Sequence, residues 1–140
     1  EFFDGLIILA GGIGTGAAVR AAVVAGADLC YMGTRFIAAV ESIASEEYKR
    51  MVIEACYEDL ILTDKVTGAK AYYLRQSLEK MGLDPQNIDS DKGINLSDSQ
   101  NQIKAWKDVW SAGHGVGAVK TRESLATIIS QLHYEYRLAC

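Results

Sequence analysis

Leu6 to Leu9 is an unbroken apolar run without the polar alternation of a half-solvated strand, so it predicts a parallel strand covered on both faces. Glycines follow at positions 11, 12, 14 and 16. The alanine- and valine-rich stretch Ala17 to Ala25, interrupted by Arg20, then predicts a helix, with Gly26 placed where a left-handed cap is wanted. A second apolar run, Leu29 to Met32, leads into Gly33 and Thr34. The order is strand, glycine loop, helix, strand, loop.

Helical spacing dominates the rest of the chain. Ser45 is placed to cap a helix whose first turn holds Glu46 and Glu47, with Tyr48, Met51, Val52, Ala55 and Cys56 as its apolar stripe. Leu60 to Thr63 reads as a short strand or the entry to an excursion, broken at Thr67-Gly68. Ala71 to Met81 carries Leu74, Leu78 and Met81 at helical spacing and stops at Gly82. Asp84 to Ser99 is polar and reads as a loop, after which Ser99 caps a predicted helix lined by Ile103, Trp106, Val109 and Trp110. A second glycine-rich turn spans Gly113 to Gly117. Thr121 is placed to cap a last helix, with Leu125, Ile128, Ile129, Leu132 and Tyr136 on one face.

The first glycine cluster is where chemistry enters. Lacking a Cβ, the backbone at Gly11 and Gly12 can approach an anion closely, and the unpaired N–H groups at the helix start would point at it. A turn built only for geometry is the alternative, since a lone glycine-rich turn is a weak motif. Gly12, Gly14 and Ala17 also fit G-x-G-x-x-A, but the dinucleotide fingerprint wants an acidic residue at the end of the second strand. That strand ends Met32-Gly33-Thr34-Arg35, with no carboxylate before Glu41. Two successive strands instead deliver glycine backbone at their carboxyl ends, as the loops after strands seven and eight do at the phosphate site of many (β/α)8 barrels.

Composition narrows the classes. The net charge of −4 is scattered over both signs, which leaves no electrostatic footprint for nucleic acid. No uncharged apolar segment approaches the length of a membrane span. Cys30, Cys56 and Cys140 are odd in number and far apart, the usage of a reduced, cytoplasmic chain; Cys30 falls in a strand and Cys56 on a helix's apolar face, both as core filler.

The run Leu9 to Ser42, LAGGIGTGAAVRAAVVAGADLCYMGTRFIAAVES, resembles the nitronate monooxygenase family, the 2-nitropropane dioxygenase-like flavoproteins. The likeness continues more loosely through Tyr48-Lys49, Tyr73 to Ser77, Gly82 to Pro85 and Trp110 to Gly117, where His114 stands in place of the glutamine of a G-Q-G-V-G pattern. It implies an α/β chain that is the C-terminal fragment of a TIM (β/α)8 barrel, a fold of about 250 residues. The last βα units would occupy 1–40, a mainly helical insertion 41–112, and a return loop and outer helix 113–140. The opening Glu1-Phe2-Phe3-Asp4 has no initiator methionine and runs almost directly into the first strand, in keeping with that expectation.

The resemblance further implies FMN, its phosphate held at Gly11, Gly12, Gly33 and Thr34 with Met32 beside them. Arg35 would add charge or pair with Glu41; Glu41 and Ser42 would orient Arg35 or face the cofactor edge. The implied reaction oxidises an alkyl nitronate with dioxygen, and the NAD(P)H-dependent quinone and enoyl-acyl-carrier-protein reductases share the AGGI and GTRF segments. The family's catalytic-base histidine is expected upstream of this chain. His114 is left as a hydrogen-bond donor or proton shuttle at the flavin mouth, or as a plain loop residue. A non-catalytic alternative is a structural module in which two copies pair as a homodimer to complete their open sheet.

Overall fold

The computed structural model describes residues 3–88 and 109–139. The predicted opening unit is present. Strand β1 (Ile8–Ala10) leads through the glycine turn into helix α1 (Gly16–Val24), and the chain returns as strand β2 (Leu29–Tyr31). The two strands pair in parallel, Ile8 opposite Leu29 and Ala10 opposite Tyr31, so both leave the sheet at the same rim. Gly26, at φ 102°, makes the left-handed exit from α1 that a side chain would strain.

Helix α2 (Thr34–Ile37) follows β2 directly, and helix α3 (Glu46–Glu54) begins at Ser45, whose hydroxyl accepts the Tyr48 N–H. Met51, Val52 and Ala55 are buried as the stripe predicts, but α3 ends before Cys56, which is exposed and not core filler. A 3-10 turn (Tyr57–Asp59) precedes strand β3 (Leu60–Thr63), which pairs antiparallel with strand β4 (Ala71–Leu74). Residues 71–74, expected to open a helix, are therefore extended; helix α4 (Arg75–Lys80) carries only the second half of that segment. The Leu74, Leu78 and Met81 spacing is real, but Tyr72 and Tyr73 favour a pleated surface and β3 supplies the partner.

A second 3-10 turn (His114–Ala118) and helix α5 (Leu125–Leu138) complete the described chain. Ser124, rather than Thr121, caps α5, its hydroxyl accepting the Thr127 N–H. The helix expected from Ser99 lies outside the described residues as far as position 108, Trp106 included, as do Cys140 and the part of the polar loop beyond Ile88; its expected last residues, Val109 and Trp110, are not helical, and Ser111 bridges to Tyr73 instead. Trp110 is described: it stacks on Tyr48, ring centroids 5.1 Å apart, beside a core of Ala38, Met51, Val52, Leu74, Val116 and Val119.

The sheet departs most from expectation. The first apolar run predicts a strand covered on both faces, yet Ile8 is 54% and Leu9 43% exposed, and Leu29 in β2 is 51% exposed. Helix α1 covers part of one face, where Ala18, Val19, Ala22, Cys30 and Met32 pack together. Among the described residues nothing covers the rest.

Candidate functional site

The site is a meeting of three turns. Gly11 and Gly12 follow β1 with φ of 91° and 70°, in the left-handed region that side chains rarely adopt, and they place exposed backbone at the rim. Met32, Gly33 and Thr34 follow β2 at the same rim because the strands are parallel and in register. The third turn, Gly113 to Gly117, comes from 79 residues further on: the Gly113 N–H donates to Thr34 Oγ1 at 2.8 Å. A Cβ at Gly113 would lie 3.3 Å from that oxygen, and one at Gly115 would lie 3.3 Å from the Ile13 carbonyl oxygen. Gly14 is tighter still, since a Cβ there would come within 2.6 Å of the Ala118 Cβ.

Above the turns the space is open. A Cβ built on Gly11 or Gly33 would meet nothing within 4 Å, and one on Gly12 would meet only the His114 Cβ, at 3.9 Å. Thr34 uses a lone pair to accept from Gly113, so its hydroxyl hydrogen is left to donate elsewhere.

The start of α1 is not available as expected. The Gly16 N–H donates to Glu135 Oε2 at 2.7 Å, and the Ala18 N–H to Thr15 Oγ1 at 3.1 Å. A protein carboxylate already holds the place where a helix end would attract an anion. The donors remaining for a ligand belong to the turns.

Arg35 also points elsewhere. It is 6% exposed, its Nη2 lies 2.7 Å from Glu123 Oε2 and 2.9 Å from Gln131 Oε1, and Gln131 Nε2 closes the ring on Glu123 Oε1 at 2.7 Å. The expected partner, Glu41, instead accepts the Leu125 N–H at the start of α5. Glu41 therefore does not pair with Arg35 but holds the start of α5. Ser42 accepts the N–H of Ala44, a local turn. Position 123 gave no sequence signal: an acidic residue just before a helix cap is ordinary, and 88 residues separate it from Arg35.

His114 is exposed at the head of the third turn. Its ring sits against two tyrosines, 4.5 Å from the Tyr72 ring centroid in edge-to-face geometry and 5.3 Å from that of Tyr57. A polar cleft of about 290 Å³, bounded by Gly14, Thr15, Arg35, Glu123, Gln131 and Glu135, does not include Gly11, Gly12 or Gly33. Within it Arg35, Glu123 and Gln131 satisfy one another and Glu135 accepts the Gly16 N–H, while Lys120 also lines the cleft. Among the described residues no cluster of histidine, cysteine and carboxylate side chains could hold a metal ion, and no helix is long and apolar enough to cross a membrane.

The chain as a whole is similar to known proteins. A nitronate monooxygenase from Paraburkholderia phytofirmans is 26% identical across 94% of this chain and 38% of its own. A probable nitronate monooxygenase from Staphylococcus saprophyticus is 37% identical over 65 residues, 18% of its length. Among solved structures, FabK from Thermotoga maritima superposes with a TM-score of 0.71 at 26% identity, over 97% of this chain and 45% of that one. Nitroalkane oxidase from Streptomyces ansochromogenes gives 0.71 at 25%, over 98% and 41%. The chain thus spans less than half the length of the relatives it matches. The nitronate monooxygenase family model matches residues 6–133, and the chain belongs to that family.

Proposed function

We propose that this chain is the phosphate-binding end of an FMN-dependent (β/α)8 oxidoreductase that oxidises alkyl nitronates with dioxygen. One observation carries the reading: two parallel strands deliver exposed glycine backbone to one rim, with the Thr34 hydroxyl fixed beside it by Gly113. The residues suit a phosphate. Gly11, Gly12 and Gly33 leave open space that a Cβ would fill, and Thr34 retains a hydroxyl donor. Met32 and Gly33 lead the backbone into that turn.

The redox chemistry, transfer of reducing equivalents from substrate to dioxygen, would be supplied by FMN once held at these residues. The chain's own part is to hold and orient. Turn N–H groups and the Thr34 hydroxyl bind the phosphate, while Arg35, buried against Glu123 and Gln131, fixes the residue after Thr34 to α5. No catalytic base is assigned within the chain. Titrating the protein with FMN and with riboflavin, which lacks the phosphate, tests the site; oxygen uptake with propyl-2-nitronate tests the reaction.

Reduction by NAD(P)H is the second enzymatic reading, supported by a structural likeness to FabK equal to that to nitroalkane oxidase. The exposed strands favour one non-catalytic reading, a module that pairs with a second copy through β1 and β2. Size-exclusion chromatography separates them: a dimer that binds no flavin supports the module, and a flavin-binding species supports the enzyme.

A further inference from the structure

Residues 110–113 bring the third turn to Thr34, and three elements hold them. From β4 the Leu74 N–H donates to the Trp110 carbonyl at 2.9 Å, and Tyr73 forms an antiparallel bridge with Ser111. From α4 the Ser77 hydroxyl accepts the Trp110 N–H at 3.1 Å. From α3 Tyr48 makes two contacts: its ring stacks on Trp110 at an interplanar angle of 16°, and its hydroxyl donates to the Ser111 carbonyl. Packing explains the ring. It does not explain the hydroxyl, which a phenylalanine would lack without losing the stack.

That hydroxyl acts one peptide away from the site. The Ser111 carbonyl belongs to the peptide joining Ser111 to Ala112, and the N–H that donates to Thr34 Oγ1 belongs to the next, joining Ala112 to Gly113. Peptide units are planar, so only the two backbone dihedrals of Ala112 lie between these bonds. Ala112 is 5% exposed and packs in the same core as Ala38, Val52 and Val116, which leaves those dihedrals little room to adjust. Burial pushes the Tyr48 phenol above its usual range, against the opposing effect of the bond to Ser111, so it remains a donor at neutral pH.

We propose that Tyr48 is a positioning residue for the phosphate, holding through Ser111 and Ala112 the Gly113 N–H that aims the Thr34 hydroxyl. The inference rests on the phosphate reading above and adds to that site a side chain that touches no ligand itself.

The test is a double-mutant cycle of Tyr48→Phe and Thr34→Val, with FMN and riboflavin binding read by flavin fluorescence and the fold by circular dichroism. Tyr48→Phe keeps the ring on Trp110 and should weaken FMN about fivefold, the size of one net hydrogen bond, with riboflavin unchanged. In the Thr34→Val background it should weaken FMN no further, because the group through which it acts is gone. A merely structural role would move both flavins and act alike in both backgrounds. Amide hydrogen exchange at Gly113, followed by NMR, needs no flavin. It should quicken in Tyr48→Phe, while the Ala25 N–H, bonded to the Ala21 carbonyl, keeps its wild-type rate. An undiminished preference for FMN over riboflavin in folded Tyr48→Phe, an equal loss in the two backgrounds, or unchanged exchange at Gly113 would overturn the role of Tyr48. A wild type that binds FMN no better than riboflavin would instead overturn the phosphate reading on which that role rests.

Discussion

The backbone N–H of Gly113 and the hydroxyl of Thr34 meet at 2.8 Å, joining the end of the second parallel strand to a turn 79 residues away. This bond fixes the direction in which the Thr34 hydroxyl hydrogen can be offered. Thr34→Val removes both the acceptor for Gly113 and the donor for a phosphate, whereas Thr34→Ser keeps both. Loss of a hydrogen bond to a charged group costs about 1.5–3 kcal/mol. Thr34→Val should therefore bind FMN at least about tenfold more weakly in a fluorescence titration, with Thr34→Ser near wild type and riboflavin little affected by either change.

Arg35 and Glu123 are a buried pair, with side chains 7% and 16% exposed. Removing one partner leaves the other uncompensated, at a cost of about 3 kcal/mol. Glu123→Gln should lower the thermal midpoint clearly. The double variant Arg35→Met with Glu123→Leu should recover much of the loss, because neither charge then remains buried. A double variant no better than Glu123→Gln would contradict the assignment of the pair.

Gly16 lets α1 and α5 approach. A Cβ there would lie 2.0 Å from the Leu132 carbonyl oxygen and 2.5 Å from the Tyr136 nitrogen, both backbone atoms that cannot swing aside. Gly16→Ala should therefore destabilise by about 3 kcal/mol in denaturant unfolding, at the upper end of overpacking effects. Gly26→Ala meets no atom but is strained by its φ of 102°, and should cost about 1 kcal/mol.

Asp59 accepts the Cys56 N–H at 2.9 Å, and its Oδ2 lies 3.1 Å from the Cys56 sulfur. The Cys56 N–H holds the Asp59 carboxyl below its usual range, with the thiol and Arg75 adding to the effect, while the bond to Asp59, chiefly, pushes the thiol up. A lowered folded-state carboxyl stabilises above its unfolded pKa, and that contribution disappears as pH falls through the folded value. Asp59→Asn should thus lose stability at neutral pH and little in strong acid. The same variant should speed iodoacetamide alkylation of Cys56 at pH 8, read by mass spectrometry, because more of the thiol is then ionised.

What was legible in the chain was local. The second apolar run, Gly26 and the Ser45 cap are signals carried within a few residues and appear where the spacing puts them, while the first strand starts two residues later than its apolar run. The two glycine turns could be placed on one rim because parallel strands joined by a helix must end on the same side. Long-range partners could not be read. Nothing near Arg35 points to Glu123, nothing near Gly16 points to Glu135, and the Tyr72-Tyr73 strand depends on β3 rather than on its own leucine spacing. His114 was visible as an unusual residue in a glycine turn, but its contacts with Tyr57 and Tyr72 required the fold.

The phosphate cradle is tested most directly at Gly33, where a Cβ would meet no protein atom and φ is −111°, so a side chain can be added without strain. Gly12→Val is less clean, because φ there is 70° and the backbone itself would be strained. The measurement is the dissociation constant of FMN, against that of riboflavin, for wild type and Gly33→Val. The account predicts that wild type prefers FMN and that Gly33→Val abolishes the preference while its unfolding midpoint stays close to wild type. An undiminished preference for FMN in Gly33→Val would contradict it.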